Sequence, residues 1–171
     1  MKIENPMETP RLMLRAYRNE DRDFCISLWC DAENGAYMSD PQFLNLDERY
    51  LSFFNDMEDD PDGYYLIAER KDTGEPVGTC CLFPEGENAD IGYCIEKTYW
   101  RQGMGSEMVR ALIDRSKAMG SKAVTAEVAD QNAASTGLLR TFGFVPTVAT
   151  RFKKRGEETE FDAHIYRLTI R

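Results

Sequence analysis

The chain has 171 residues, 42% of them hydrophobic and 30% charged, and a formal net charge of −9. That length suits one domain, expected to span residues 1–171, and the composition is too apolar for disorder yet holds no run of about 18 uncharged apolar residues for a membrane helix. The acidic excess argues against nucleic acid or an anionic membrane as partner and mildly favours a cationic or amine substrate.

In chain order, residues 11–16 alternate well enough for a strand. Asn19 is placed to cap a helix whose first turn holds Glu20, Asp21 and Asp23, with Phe24, Leu28 and Trp29 on one face. Pro41 interrupts, and Asp47 can start a second helix carrying Tyr50, Phe54 and Met57 on one side. Residues 58–63 read as an acidic loop. Strands follow at 64–69, 77–83 and 90–95, the first two forming a hairpin across a turn at 71–76. A helix from about Gly103 to Met119 shows a stripe of Met104, Met108, Leu112, Val109 and Ile113, and Gly120 stops it. A strand at 123–128, a short helix at 132–142, a strand at 145–152 and a last strand at 161–169 complete a mixed α/β domain on one sheet.

Cys25, Cys30, Cys80, Cys81 and Cys94 form no Cys-x-x-Cys pair, and His164 is the sole histidine, so no metal-ligand spacing exists and no metal is expected. The cysteines read as buried thiols of a reducing compartment, with the adjacent Cys80 and Cys81 on opposite faces of a strand. The opening MKIENPMETP has no apolar leader core, and a cytoplasmic location is expected.

Two stretches carry chemistry. In the first, a strand ending at Tyr93, Cys94 and Ile95 runs through a loop into a helix by way of Arg101-Gln102-Gly103-Met104-Gly105-Ser106. Glycines allow close backbone approach, the N–H groups of a helix start form an anion site, and Arg101 adds a forked positive charge. The sum reads as a phosphate or pyrophosphate cradle. A Walker loop would need Lys before Ser or Thr after the second glycine, and a dinucleotide fingerprint a third small residue where Met108 stands. In the second stretch, Asn132 follows a strand, Ser135 lies one turn on, and Gly143-Phe144 closes the helix. A cap and a stop explain Asn132 and Gly143 locally, but not why both stretches occur in this order and at this distance.

Taken together, these segments resemble the GNAT superfamily of acetyl-CoA-dependent N-acetyltransferases, and within it the branch of ribosomal-protein N-terminal acetyltransferases and their small-molecule relatives. The resemblance rests on Glu8 to Arg15, Ile91-Gly92-Tyr93, Tyr99 to Ser106, Asn132-Ala-Ala-Ser135 and Phe142-Gly143-Phe144, and covers about residues 8–168. It implies a mostly antiparallel central sheet flanked by helices and split between the fourth and fifth strands, near Ile95 and Val124. The pantetheine arm of acetyl-CoA would enter that gap. Tyr93, Cys94 and Ile95 would offer it main-chain groups, residues 101–106 would hold the pyrophosphate, and Asn132 would contact the pantetheine region.

The implied reaction is direct attack of an amine on the thioester, without an acyl-enzyme. Many members of the superfamily place a Tyr acid where this chain has Leu139; here the matching hydroxyl is Ser135, which could protonate the leaving thiolate or simply bond backbone. Glu127, five residues before Asn132, is the expected base, with a solvated surface carboxylate as its plainer reading; Asp90 and Glu96 are further carboxylates, while Cys94 and His164 are poor catalytic candidates. The acceptor would be a protein N-terminus or a small-molecule amine, bound by residues of about 19–63, where Trp29, Tyr37, Met38, Phe43, Phe53 and Phe54 could line a cleft. A monomer or homodimer is expected. Two other readings compete: an acyl-CoA-sensing domain with degraded catalysis, which Leu139 keeps alive, and a nucleotide-phosphate enzyme, which the lack of a metal-binding carboxylate motif after the loop disfavours.

Overall fold

A computed structural model of the protein describes residues 6–170. Arg171 and the first half of the stretch read for a leader lie outside the described residues. The elements are β1 (Met7–Glu8), β2 (Leu12–Ala16), α1 (Arg22–Trp29), α2 (Glu48–Met57), β3 (Tyr64–Arg70), β4 (Pro76–Glu85), β5 (Asn88–Ile95), α3 (Met104–Ala118), β6 (Ala123–Ala129), α4 (Ala133–Thr141), β7 (Val145–Lys153) and β8 (Glu160–Thr169).

The strands form one sheet in the order β1-β2-β3-β4-β5-β6-β8-β7. Neighbours are antiparallel except β5 and β6, which run parallel and pair only from Asn88↔Ala123 to Asp90↔Thr125. Beyond Asp90 the two strands part. This is the expected split, and it falls between the fifth and sixth strands because β1 precedes the strand that the sequence shows first. Two residues cannot display a period-two pattern, so β1 left no signal.

Alternation along the strands sends side chains into two cores, one on each face of the sheet. On one face Leu66, Ala68, Cys80, Leu82 and Ile91 pack with Met104, Met108, Val109 and Leu112 of α3 and with Leu139 of α4. On the other, Ile67 and Cys94 pack with Cys25, Leu28 and Trp29 of α1 and Tyr50, Phe54 and Met57 of α2. Each fully buried Leu or Met side chain contributes about 1.5–3 kcal/mol, so both helix pairs are held mainly by this burial. All five cysteines are free thiols. Asp47 caps α2 as expected, its Oδ1 accepting from the Tyr50 N–H at 2.6 Å.

One capping expectation fails. Asn19 opens a 3-10 turn, Asn19–Asp21, and does not cap α1. Asp21 holds the N-cap position of α1 without a side-chain capping bond. Its carboxylate turns back to the start of the 3-10 turn, accepting from the Arg18 N–H at 2.8 Å and from both Arg15 Nη atoms at 2.7 and 2.8 Å, a charge-assisted fork that fixes where the helix begins.

Candidate active site

The parting of β5 and β6 opens a cleft of about 620 Å³, within the range of small-molecule sites. Its walls come from the end of β5, the loop into α3, the start of α4 and the loop after α1. Tyr93, Cys94 and Ile95 line it from β5. Arg101, Gly103, Met104, Gly105 and Ser106 line it from the loop and the first turn of α3, and Asn132 and Ser135 from α4. From Ile91 onward β5 is paired with β4 alone, so the main-chain groups on its other side face the gap.

The loop has an uncommon backbone. Arg101 is left-handed at φ 58°, the sole non-glycine with positive φ among the described residues, and Gly103 follows at φ 81°. A left-handed residue of this kind costs on the order of 1–3 kcal/mol and tends to persist where a ligand is held. Gly103 is the N-cap of α3 and supplies no side-chain acceptor, so the N–H groups of the first turn have no partner within the helix and face outward. Gly105 keeps α3 close to α4: a Cβ there would meet Leu138 Cδ2 at 3.2 Å. Gln102 can contribute only main chain to the cleft. Its Nε2 donates to the Thr98 carbonyl at 3.0 Å, tying the loop to the turn before it, and its side chain is not part of the cleft wall.

Asn132 caps α4, its Oδ1 accepting from the Ser135 N–H at 3.1 Å. The Ser135 hydroxyl lies 2.7 Å from the hydroxyl of Tyr93, across the cleft. Burial pushes the Tyr93 phenol up to about 12, against the opposing hydrogen bond from Ser135, so it stays a neutral donor near pH 7. The sequence showed Tyr93 as a main-chain contributor; its hydroxyl was not foreseen, because nothing in the spacing of residues 93 and 135 announces a contact across two elements. Leu139 is fully buried in the core beneath α4 and carries no chemistry.

Carboxylates gather at the fork itself. Asp90 stands in the last registered pair, and Thr125 Oγ1 donates to its Oδ1 at 2.7 Å. Burial raises the Asp90 carboxyl to about 6; the Thr125 hydrogen bond opposes this, and the nearby charges of Glu85 and Glu127 add to it. Glu127 is exposed and lies two residues beyond Thr125, on the same face of β6. Glu96 is structural: its carboxylate accepts from the Thr98 N–H at 3.1 Å. Cys94 is pushed up to about 12, chiefly by burial and further by Asp40 and Asp31, so it is a thiol and not a ready nucleophile. His164 pairs at 2.6 Å with Asp130, with its side chain over a third exposed.

The wall opposite α3 is the loop of residues 31–46. The Nζ of Lys154, only 4% exposed, donates to the carbonyls of Gly35 at 2.7 Å and Met38 at 3.1 Å. The Arg155 N–H donates to Ser39 O at 2.9 Å. Of the aromatic and Met candidates for an acceptor cleft, Tyr37 and Met38 line it. Trp29 and Phe54 are buried and stacked at 5.7 Å, with Trp29 Nε1 donating to Thr79 Oγ1 at 2.8 Å, so they are core. Phe53 lies beside a separate hollow at the end of α2, and exposed Phe43 is not in the cleft wall.

Comparison with known proteins fits this geometry. A family profile described as acetyltransferase (GNAT) domain matches residues 11–145. The chain belongs to the GNAT acetyltransferases. It is 26% identical over 166 residues to an uncharacterized N-acetyltransferase, YoaA, of Bacillus subtilis, covering 94% of each chain. Its fold is similar to that of a Vibrio cholerae spermidine N-acetyltransferase solved with CoA and spermine, at TM-score 0.77 and 17% identity over 96% of that chain and 94% of this one. It is also similar to a ribosomal-protein-alanine N-acetyltransferase of Brucella melitensis, at TM-score 0.69 and 20% identity over 99% of that chain and 92% of this one. As a member of the GNAT family the protein is an N-acetyltransferase with one open, mostly antiparallel sheet flanked by helices. Among the described residues, no helix is long and apolar enough to cross a membrane.

Proposed function

We propose that the protein transfers an acetyl group from acetyl-CoA to an amine by direct attack in a ternary complex. The observation that carries the reading is the Tyr93–Ser135 hydroxyl pair, set 2.7 Å apart in a cleft whose far end is the left-handed loop of Arg101 and Gly103. Bound acetyl-CoA would supply the activated thioester. The residues present fit it: the outward N–H groups of Met104, Gly105 and Ser106, together with Arg101, suit phosphate oxygens, and the unpaired side of β5 at Tyr93, Cys94 and Ile95 suits the amides of a pantetheine arm. Asn132, by capping α4, fixes where Ser135 stands.

Within that site Ser135 is the proton donor to the departing sulfur. Either hydroxyl can donate across the 2.7 Å contact; with the neutral Tyr93 phenol donating to the Ser135 oxygen, the Ser135 proton is free to turn outward. Proton removal from the amine falls to the carboxylate pair at the fork. Asp90, in the last registered pair before the strands part, accepts the proton, its carboxyl raised to about 6 chiefly by burial and further by Glu85 and by Glu127, the base the family resemblance implies; both carboxylates lie outside the residues that line the cleft, so the proton reaches them through water. A cationic or polar amine suits this acidic surrounding. The spermidine and ribosomal-protein acetyltransferases of similar fold suggest two acceptor classes, polyamines and protein N-termini.

The test is thiol release from acetyl-CoA with spermidine, short peptides with free Ala or Ser N-termini, and other amines. Release with at least one of them is expected. Tight CoA binding with no release across the panel would replace the enzyme reading with that of an acyl-CoA sensor.

A further inference from the structure

The cofactor loop has a neighbour that belongs to none of the segments expected to hold it. Glu107, in the first turn of α3, would by its charge oppose an anion at the helix start, although it suits the helix dipole. It is not left bare. Its Oε2 accepts from the Thr9 hydroxyl at 2.6 Å and from the Arg11 N–H at 3.1 Å, and its Oε1 accepts from Arg11 Nε at 2.5 Å. The Arg11 side chain therefore cancels the charge of Glu107. It does so through Nε, and neither terminal nitrogen takes part in that bond. Nη2, on the same edge as Nε, lies 3.3 Å from where a Cβ on Gly103 would stand, which puts the guanidinium tip beside the loop. The side chain remains 46% exposed.

We propose that Arg11, which stands beside Gly103 just outside the residues that line the cleft, is a pyrophosphate-binding residue of the acetyl-CoA site, its Nη atoms reaching the phosphates held at the loop. The proposal rests on the cofactor reading of the 101–106 loop. Three features support it. The N-cap of α3 has no side chain of its own to satisfy the first turn, so an external acceptor is wanted there. The chain is strongly acidic, and a polyanionic ligand needs local positive charge beyond Arg101. The Glu107 pairing also fixes the guanidinium plane before the ligand arrives, which lowers the ordering cost of a bidentate contact. Arg11 thus has two jobs, screening an acid that helps the helix but hinders the anion, and offering donors to that anion.

The experiment compares three ligands by calorimetry or thermal shift: acetyl-CoA, acetyl-dephospho-CoA, which keeps the pyrophosphate but lacks the 3′-phosphate, and S-acetylpantetheine, which lacks all phosphates. Arg11→Gln should weaken the first two by the same factor, about 10- to 100-fold, and leave the third unchanged. Glu107→Gln should move the other way and tighten acetyl-CoA about two- to fivefold, because it removes a negative charge from the site. An equal loss on S-acetylpantetheine, or a loss in Glu107→Gln as large as in Arg11→Gln, would show that the ion pair merely holds the fold and would overturn the assignment. A loss confined to acetyl-CoA would move Arg11 to the 3′-phosphate and equally overturn it, as would no loss at all. If the wild-type protein itself fails to prefer acetyl-CoA over S-acetylpantetheine, the loop reading falls and Arg11 with it; if the wild type shows the preference and Arg11→Gln keeps it, only Arg11 falls.

Discussion

The two walls of the cleft are built on different principles. The α3–α4 wall grips with backbone: a left-handed Arg101 and Gly103, the N–H groups of a helix start, and the free side of β5. The opposite wall, residues 31–46, has almost no regular structure and is held by side chains from far away in the chain, above all by Lys154. Backbone recognition tolerates little variation in the residues that shape it and says what the protein binds. A loop held by a remote lysine can change its lining freely, which suits it to the acceptor side of the proposed reaction.

Six substitutions press on this contrast. The largest effect belongs to the fork beneath both walls. Asp90→Asn should lower turnover by about 10²- to 10⁴-fold with little change in acetyl-CoA binding. In the wild type, activity should rise with pH through about 6, because a protonated Asp90 cannot accept a proton and burial sets its ionisation there. The Asp90→Asn enzyme should lose that limb of the pH–rate profile, and Glu127→Gln, by removing a like charge, should slide the limb to lower pH. An unchanged profile in both would remove the carboxylate pair from the mechanism.

Next in size, Gly103→Asp should weaken acetyl-CoA by roughly 10²-fold or more in calorimetry. A side chain is strained at φ 81°, and a carboxylate there repels the phosphates. If affinity survives, the backbone wall is not the anion site. Ser135→Ala should cost about 10- to 10²-fold in kcat at unchanged acetyl-CoA affinity, with Tyr93→Phe costing less, since it only orients Ser135. Equal effects of the two would merge them into one donor unit. The smallest and most selective effect is expected of Lys154→Met. It takes the Lys154 donor from the Gly35 and Met38 carbonyls, of which Gly35 keeps the Met38 N–H at 3.0 Å, and should raise the acceptor KM several-fold while the acetyl-CoA KM holds. A parallel rise in both would mean that the walls are not independent.

The contrast also explains what could be read from the chain. α3, with its stripe of Met104, Met108 and Leu112, and α2, with its Asp47 cap, follow from local periodicity and capping, and both were legible. So was the turn of the 101–106 loop into α3, since glycines before a helix mark such a turn locally. Asp90, Tyr93 and Lys154 were harder. The value of Asp90 depends on Thr125 across a parallel pair, that of the Tyr93 hydroxyl on Ser135, and that of Lys154 on two carbonyls far upstream. The Asn19 cap failed for the same reason, because Arg15 and Asp21 formed a stronger arrangement between elements than the local rule foresees.

Lys154 has a consequence for how the molecule comes into being. It stands 119 residues after Gly35, and the turn that carries it is formed only once β7 and β8 have paired. The 31–46 wall is therefore fixed by the last part of the chain to be made, whereas the 101–106 loop is shaped by residues next to it in sequence. The entropic cost of closing so long a loop falls on the 31–46 wall alone.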